Sequence, residues 1–198
     1  IGHGGRKPFE YDGQPHGGFY TQEEIREIIE FAERRGVSII PEIELPGHSR
    51  AAIASYPFLG CTGDTIDAWA RWGVSPYIYN IDDTTFRFLE AVLTEVAELF
   101  PSEYIHIGGD EAVKDQWRSS EKIQHQMDSL GIEDEEALQA WFIDRIAAFL
   151  ATKGKKIIGW DEILHGGAPE DAVIMYWRSW KQNPNPAVEA VQNGHKII

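Results

Sequence analysis

In the stretch YIHIGGDEAV, residues 104–113, an apolar run breaks into two glycines, and Asp110 and Glu111 then stand side by side. Gly108 and Gly109 allow a sharp turn and the close approach of a ligand. Two neighbouring carboxylates in a partly desolvated pocket do not both ionise easily, so one tends to keep a proton and can act as a general acid. The same pair also suits a solvated helix N-cap, but its place at the end of a buried strand favours chemistry. Ordinary glycosidases flank the scissile bond with two carboxylates about 5–9.5 Å apart on opposite sides of the sugar. Sequence neighbours share one piece of backbone and approach from one side. On a glycosidic bond such a pair is poorly placed to be acid and nucleophile, and the nucleophile would then belong to the substrate.

The elements that must position this pair follow a regular alternation. Residues 1–20 read as loop, rich in glycine with Pro8 and Pro15. A helix is predicted over 21–36, with a Thr21/Glu24 capping box, an apolar stripe of Ile25, Ile28, Ile29 and Ala32, and Gly36 as terminator. A short buried strand follows over 37–42. Further helices are expected at 84–100 behind an Asp82/Asp83 cap, at 135–154 and at 186–194 with Pro186 at its start. Further strands are expected at 103–107, 156–160, 172–177 and 195–198. The loop 56–81, rich in Trp, Tyr, Gly and Pro, reads as a functional loop rather than a domain boundary.

Short apolar strands alternating with helices imply a parallel sheet, in either a doubly wound fold or a (β/α)8 barrel. No G-x-G-x-x-G follows a strand and no Walker loop exists, which disfavours a nucleotide-binding sheet. The unusual residues gather where strands end: PEIELPGH, GGDE, GWDE and YWRSW. Those ends form the active-site face of a (β/α)8 barrel.

Composition bounds the function. The chain has 198 residues and a formal net charge of −14, from 32 acidic and 18 basic residues. That disfavours nucleic acid and anionic membrane surfaces as partners. No apolar run reaches the ~20 residues of a membrane span. The single cysteine, Cys61, cannot form an internal disulfide, and no Cys/His zinc spacing occurs. No cofactor or metal is expected. Aromatic residues make up 12% of the chain; their faces suit sugar rings, though core packing is the ordinary use of any one of them.

The motifs HIGGDE, PEIELPGHS and GWDEI together resemble glycoside hydrolase family 20, the β-N-acetylhexosaminidases, and the resemblance runs over essentially the whole chain. It implies a retaining, substrate-assisted glycosidase that removes terminal non-reducing β-linked N-acetylhexosamine from an oligosaccharide or glycoconjugate. By that resemblance Glu111 is the general acid and base, and Asp110 holds the acetamido N–H. His48 hydrogen-bonds near the acid, with Glu44 standing where the family often has Asp. Trp160 and Trp177 wall the acetamido pocket; without the resemblance both would be read as core, and His48 as a loop histidine. Trp180, Asp161 and Glu162 lie close by in sequence and are further substrate-binding candidates. His106 reads as a structural hydrogen-bonder on a buried strand. An extracytoplasmic location is implied by the resemblance alone.

The resemblance also makes residues 1–198 part of one catalytic barrel domain, about strands three to six and the start of seven. The chain opens without Met and closes on GHKII, which reads as a piece of something longer. The family's substrate-binding arginine, an aspartate-rich motif, and the tyrosine that grips the acetamido oxygen are expected outside it. The isolated piece is therefore expected to be inactive, with open sheet edges covered by further chain or by a second copy. Two other readings remain: a metal-dependent barrel hydrolase using His48, His106, Asp110 and Glu111, and a non-catalytic sugar-binding module.

Overall fold

The computed structural model describes residues 14–15, 17–70, 72–178 and 185–198. Five parallel strands form one sheet: β1 (Glu42–Leu45), β2 (Tyr104–Gly108), β3 (Lys156–Trp160), β4 (Val173–Met175) and β5 (Lys196–Ile197). Their spatial order is their chain order, β1-β2-β3-β4-β5. A doubly wound sheet reverses its strand order at a switch point; this one does not. The sheet is the continuous run of neighbours found in part of a (β/α)8 barrel.

Seven helices accompany the strands among the described residues: α1 (Gln22–Glu33), α2 (Arg50–Ser55), α3 (Asp83–Leu99), α4 (Asp115–Ser119), α5 (Glu121–Leu130), α6 (Glu135–Thr152) and α7 (Pro186–Gln192). Local chemistry sets their starts. Thr21 and Glu24 make both halves of the expected capping box on α1. Asp82 accepts from the Thr85 N–H at 3.0 Å to open α3, and Asp134 accepts from Ala137 N–H at 2.8 Å to open α6.

Side chains alternate between the faces of a strand. One set, Leu45, Ile105, Ile107, Ile157 and Ile174, joins Phe86, Leu89 and Leu93 of α3 and Phe142, Ile146 and Leu150 of α6 in one buried cluster. Truncating a residue such as Phe142 to Ala would cost about 3–5 kcal/mol. The alternate set, Glu42, Glu44, His106 and Trp160, lies on the opposite face. Ile158 and Val173 share that register and are buried, yet they stand outside the helix-side cluster. The helices cover the apolar face, and the opposite face carries Glu42, Glu44, His106 and Trp160 beside buried Ile158 and Val173.

The first strand differs from the expectation of 37–42. It starts at Glu42 and ends at Leu45, just before the Pro46-Gly47-His48 turn. Val37 and Ile40 are exposed, 54% and 39%, and Pro41 has no N–H to give to a ladder, although its carbonyl accepts from His106 N–H at 2.9 Å. Helices α2, α4 and α5 were not anticipated. Loop 56–81 is closed at its base by an antiparallel bridge between Gly60 and Tyr79. Among the described residues no helix is long and apolar enough to cross a membrane.

Candidate active site

Two loops leave adjacent strand ends and meet. After β1 the Leu45–Pro46 peptide is cis and His48 takes φ 49°. After β2, Gly108 and Gly109 take φ 67° and 94°, and Glu111 takes φ 47°. A left-handed backbone is rare and costly for a non-glycine residue, so His48 and Glu111 are both held against a preference. The loops touch at Gly47, where a Cβ would sit 3.1 Å from Ala112 Cα and 3.2 Å from the Asp110 carbonyl oxygen. A side chain on Gly108 would strike the Glu44 carboxyl, and one on Gly109 would strike Ile163. Buried Gln139 of α6 fixes the turn from behind by donating to the Gly109 carbonyl at 2.8 Å.

This packing places His48 between the two acids. Its Nε2 is 3.3 Å from Asp110 Oδ2 and 3.5 Å from Glu111 Oε2. One ring nitrogen carries at most one proton, so it serves one carboxylate at a time. These three atoms lie within 4.8 Å of one another, close enough to share a cation. A metal there would occupy the lone pairs that proton transfer needs. His106 stands outside this group.

Beneath the pair lies a second acidic layer. Glu44 Oε2 and Asp110 Oδ1 are buried and accept no hydrogen bond among the described residues. Burial foremost, then the charges of Asp110 and Glu42, pushes the Glu44 carboxyl up to about 8. Glu42 Oε1 accepts from Trp160 Nε1 at 3.1 Å and lies 3.1 Å from His106 Nδ1. His106 Nδ1 also lies 3.0 Å from the Gly108 N–H, and its buried Nε2 has no hydrogen-bond partner among the described residues. Burial lowers the His106 pKa, against the pull of Glu42 and Asp110.

The tryptophans close the far side. Trp160 meets the His106 ring edge-on at 4.9 Å and Trp177 at 6.3 Å. Trp177 Nε1 donates to Glu162 Oε2 at 3.0 Å. Asp161 has no exposed surface; it accepts from Trp177 N–H at 3.3 Å and from Arg178 Nε at 2.8 Å. Arg178 also lies 3.3 Å from Glu162. Burial raises the Glu162 pKa, while Trp177 and Arg178 oppose the rise. Asp161 therefore anchors the tryptophan strand end from within rather than facing the cleft.

Glu111, Glu162, Trp177, Gly109, Arg178 and Val74 line one cleft of about 580 Å³. Asp110 and His48 join it through their contacts with each other and with Glu111. Trp160 adjoins it through Trp177, and Glu44 lies one layer below. Trp180 falls outside the described residues. The sequence reading did not single out Arg178, Gln139, Glu42 or Val74. Arg178 and Glu42 stood inside the quoted motifs YWRSW and PEIELPGH; nothing in the local pattern marks Gln139.

Residues 2–198 match the family model described as glycosyl hydrolase family 20, catalytic domain. The chain is 43% identical over 190 residues to a β-hexosaminidase of Porphyromonas gingivalis, covering 96% of this chain and 24% of that protein. It is also 43% identical over 190 residues to a β-hexosaminidase of Vibrio furnissii, covering 93% and 30%. It thus spans about a quarter to a third of the length of these curated relatives. The crystal structure of a β-N-acetylhexosaminidase from Bacteroides fragilis superposes with a TM-score of 0.83 at 35% identity, over 94% of this chain and 37% of that one. An exo-β-N-acetylglucosaminidase from Vibrio harveyi, solved in complex with N-acetylglucosamine, gives 0.80 at 39% identity, over 93% and 29%.

Proposed function

The chain belongs to glycosyl hydrolase family 20, and from that premise we propose that the protein carrying it removes terminal non-reducing β-linked N-acetylhexosamine, GlcNAc or GalNAc, from glycans with retention of configuration. The observation that carries the reading is that Asp110 and Glu111 reach the same His48 Nε2, at 3.3 and 3.5 Å, so both acids approach from one side. Glu162 also lines the cleft, but its oxygens are turned to Trp177 Nε1 and Arg178. That leaves it poorly prepared to attack an anomeric carbon. A nucleophile supplied by the substrate's own 2-acetamido oxygen resolves the geometry.

In the first step Glu111 donates its proton to the glycosidic oxygen as the C1–O bond breaks. The acetamido oxygen forms a bond to C1, giving an oxazolinium ring whose N–H is held by Asp110. Trp177 and Trp160 wall the acetamido group, which stacks and excludes water. In the second step Glu111, now a carboxylate, takes a proton from water, the water oxygen bonds to C1, and the ring reopens. His48 Nε2 serves whichever of the two carboxylates is charged at each step. Glu44 and Glu42 act from beneath, on Asp110 and on Trp160 respectively. Glu162 and Asp161 act through Trp177.

The test is hydrolysis of aryl β-GlcNAc and β-GalNAc by the whole protein, together with a 2-fluoro sugar. Release of the aryl group with no covalent glycosyl-enzyme supports the reading. A trapped glycosyl-enzyme would defeat it.

A further inference from the structure

Trp177 is held from two sides by one cation. Asp161 and Glu162 stand in the short turn Asp161–Leu164 that follows β3. Trp177 and Arg178 lie just past the end of β4, whose Met175 is the register partner of Trp160. Each acid divides its oxygens in the same way. Asp161 Oδ1 accepts from the Trp177 backbone N–H at 3.3 Å, and its Oδ2 lies 2.8 Å from both Nε and Nη2 of Arg178. Glu162 Oε2 accepts from the Trp177 indole N–H at 3.0 Å, and its Oε1 lies 3.3 Å from Arg178 Nε. One guanidinium therefore fastens both the main chain and the ring edge of the same tryptophan. The base beneath is closely packed: Asp161 and Ile163 have no exposed surface, and Ile163 fills the space beside Gly109 and Gly159.

A buried indole N–H needs one acceptor, and a neutral carbonyl would serve. Here the acceptor is a carboxylate that is itself pinned by a cation, in a nest that leaves only 14% of the Arg178 side chain exposed. Charge-assisted hydrogen bonds are shorter and stronger than neutral ones. Two acids around one cation are costly to desolvate and are a weak source of stability, so what the arrangement secures is the position of the ring. Resting on the function proposed above, we infer that Arg178 is a positioning residue that sets the length of the N-acyl group the cleft accepts. Trp177, Glu162 and Arg178 all line that cleft. A wall fixed at its backbone and at its ring edge does not retreat to admit a longer chain, and over-filling a rigid pocket is unfavourable. The same fixity keeps the acetamido oxygen aligned on C1. The substrate class is therefore the N-acetyl sugar, with N-propionyl and longer N-acyl sugars rejected by Arg178 acting through Trp177.

The experiment uses the whole protein and the aryl β-glycosides of N-acetylglucosamine and N-propionylglucosamine, and reads the ratio of their kcat/KM values. Wild type should favour the acetyl glycoside roughly 10- to 200-fold, the range set by one methylene in a fitted pocket. Arg178→Lys keeps the charge but loses the planar fork that reaches both acids. It should narrow the ratio about tenfold, with the loss on the acetyl glycoside falling on kcat rather than KM. Glu162→Gln keeps an acceptor for the indole while releasing its pair with Arg178, and should narrow the ratio less. An unchanged ratio in Arg178→Lys overturns the inference. So does an equal fall on both glycosides, which a merely structural role would give. If both variants fail to fold, the clamp serves stability and the inference falls. A wild type that cleaves both glycosides equally well overturns this inference and leaves the proposed function standing. A wild type that cleaves neither overturns both.

Discussion

His48 and Glu111 face each other across 3.5 Å, and both hold a left-handed backbone, at φ 49° and 47°. Each such conformation costs roughly 1–3 kcal/mol in a non-glycine residue. Packing at Gly47 and the hydrogen bond from Gln139 hold the two loops where neither residue relaxes. The strain is matched across the site, so Glu111 and His48 are held facing each other by the fold alone.

If Glu111 is the acid, Glu111→Gln in the whole protein should lose about 10²–10⁴-fold on alkyl glycosides, whose leaving oxygen must be protonated. The loss should be much smaller in the first step with a dinitrophenyl leaving group, which departs without a proton. Equal losses would remove Glu111 from the acid role.

Asp110→Asn should cripple turnover although Glu111 remains, because the acetamido N–H loses its charged acceptor. A thiazoline mimic of the cyclised intermediate should bind wild type far more tightly than product sugar, and that advantage should shrink most in this variant. Calorimetric titration of the mimic checks both; undiminished tight binding to the Asn variant counts against the role.

Glu44 gives a pH signature in stability. Its folded pKa is raised to about 8 by burial, Asp110 and Glu42, whereas the unfolded carboxyl titrates in the ordinary range. Between those values the folded state binds more protons than the unfolded one, so stability falls as pH rises across that window. Glu44→Gln should flatten this part of a melting-temperature profile and gain on wild type as pH approaches 8. Parallel profiles would show that Glu44 ionises as freely folded as unfolded.

Trp177→Ala should cost N-acetyl substrates roughly 1–3 kcal/mol in kcat/KM. Trp160→Phe should cost less, since it keeps the ring but loses the bond to Glu42. Kinetics and melting curves together decide: a collapse in melting temperature without a specific kinetic loss would make these rings core residues.

Much of this was legible in the sequence where the cause is local. The Thr21/Glu24 box and the Asp82 cap are contacts between residues three apart, and both appear as read. The alternation of helices and short strands places the site at strand ends for the same reason. The expected strand at 37–42 starts instead at Glu42 because Val37 and Ile40 are apolar yet exposed, and an apolar run alone does not say which residues pair. Helices α4 and α5 bury only Trp117, Ile123 and Met127, too few to announce a periodicity. Glu42 stood inside PEIELPGH but was not singled out, because Trp160, which donates to it, lies 118 residues away.

The strand order has a consequence for how the protein comes to be folded. When spatial neighbours are chain neighbours, no strand must be threaded between two that have already paired. The cheapest closures come first, because the entropy lost on joining two segments grows with the chain between them. The connection from Trp160 to Val173 is the shortest of the four, and the next, from Met175 to Lys196, is shorter than those leaving β1 and β2. Pairing should therefore start at β3–β4–β5 and spread toward β1, so that pulse-labelled hydrogen exchange protects β4 amides before the His106 amide, which donates to Pro41. The Trp160 and Trp177 wall would be standing before Asp110 and Glu111 are brought to it. A polypeptide stalled early in folding would then hold the tryptophan wall of the cleft without the Asp110–Glu111 pair in place.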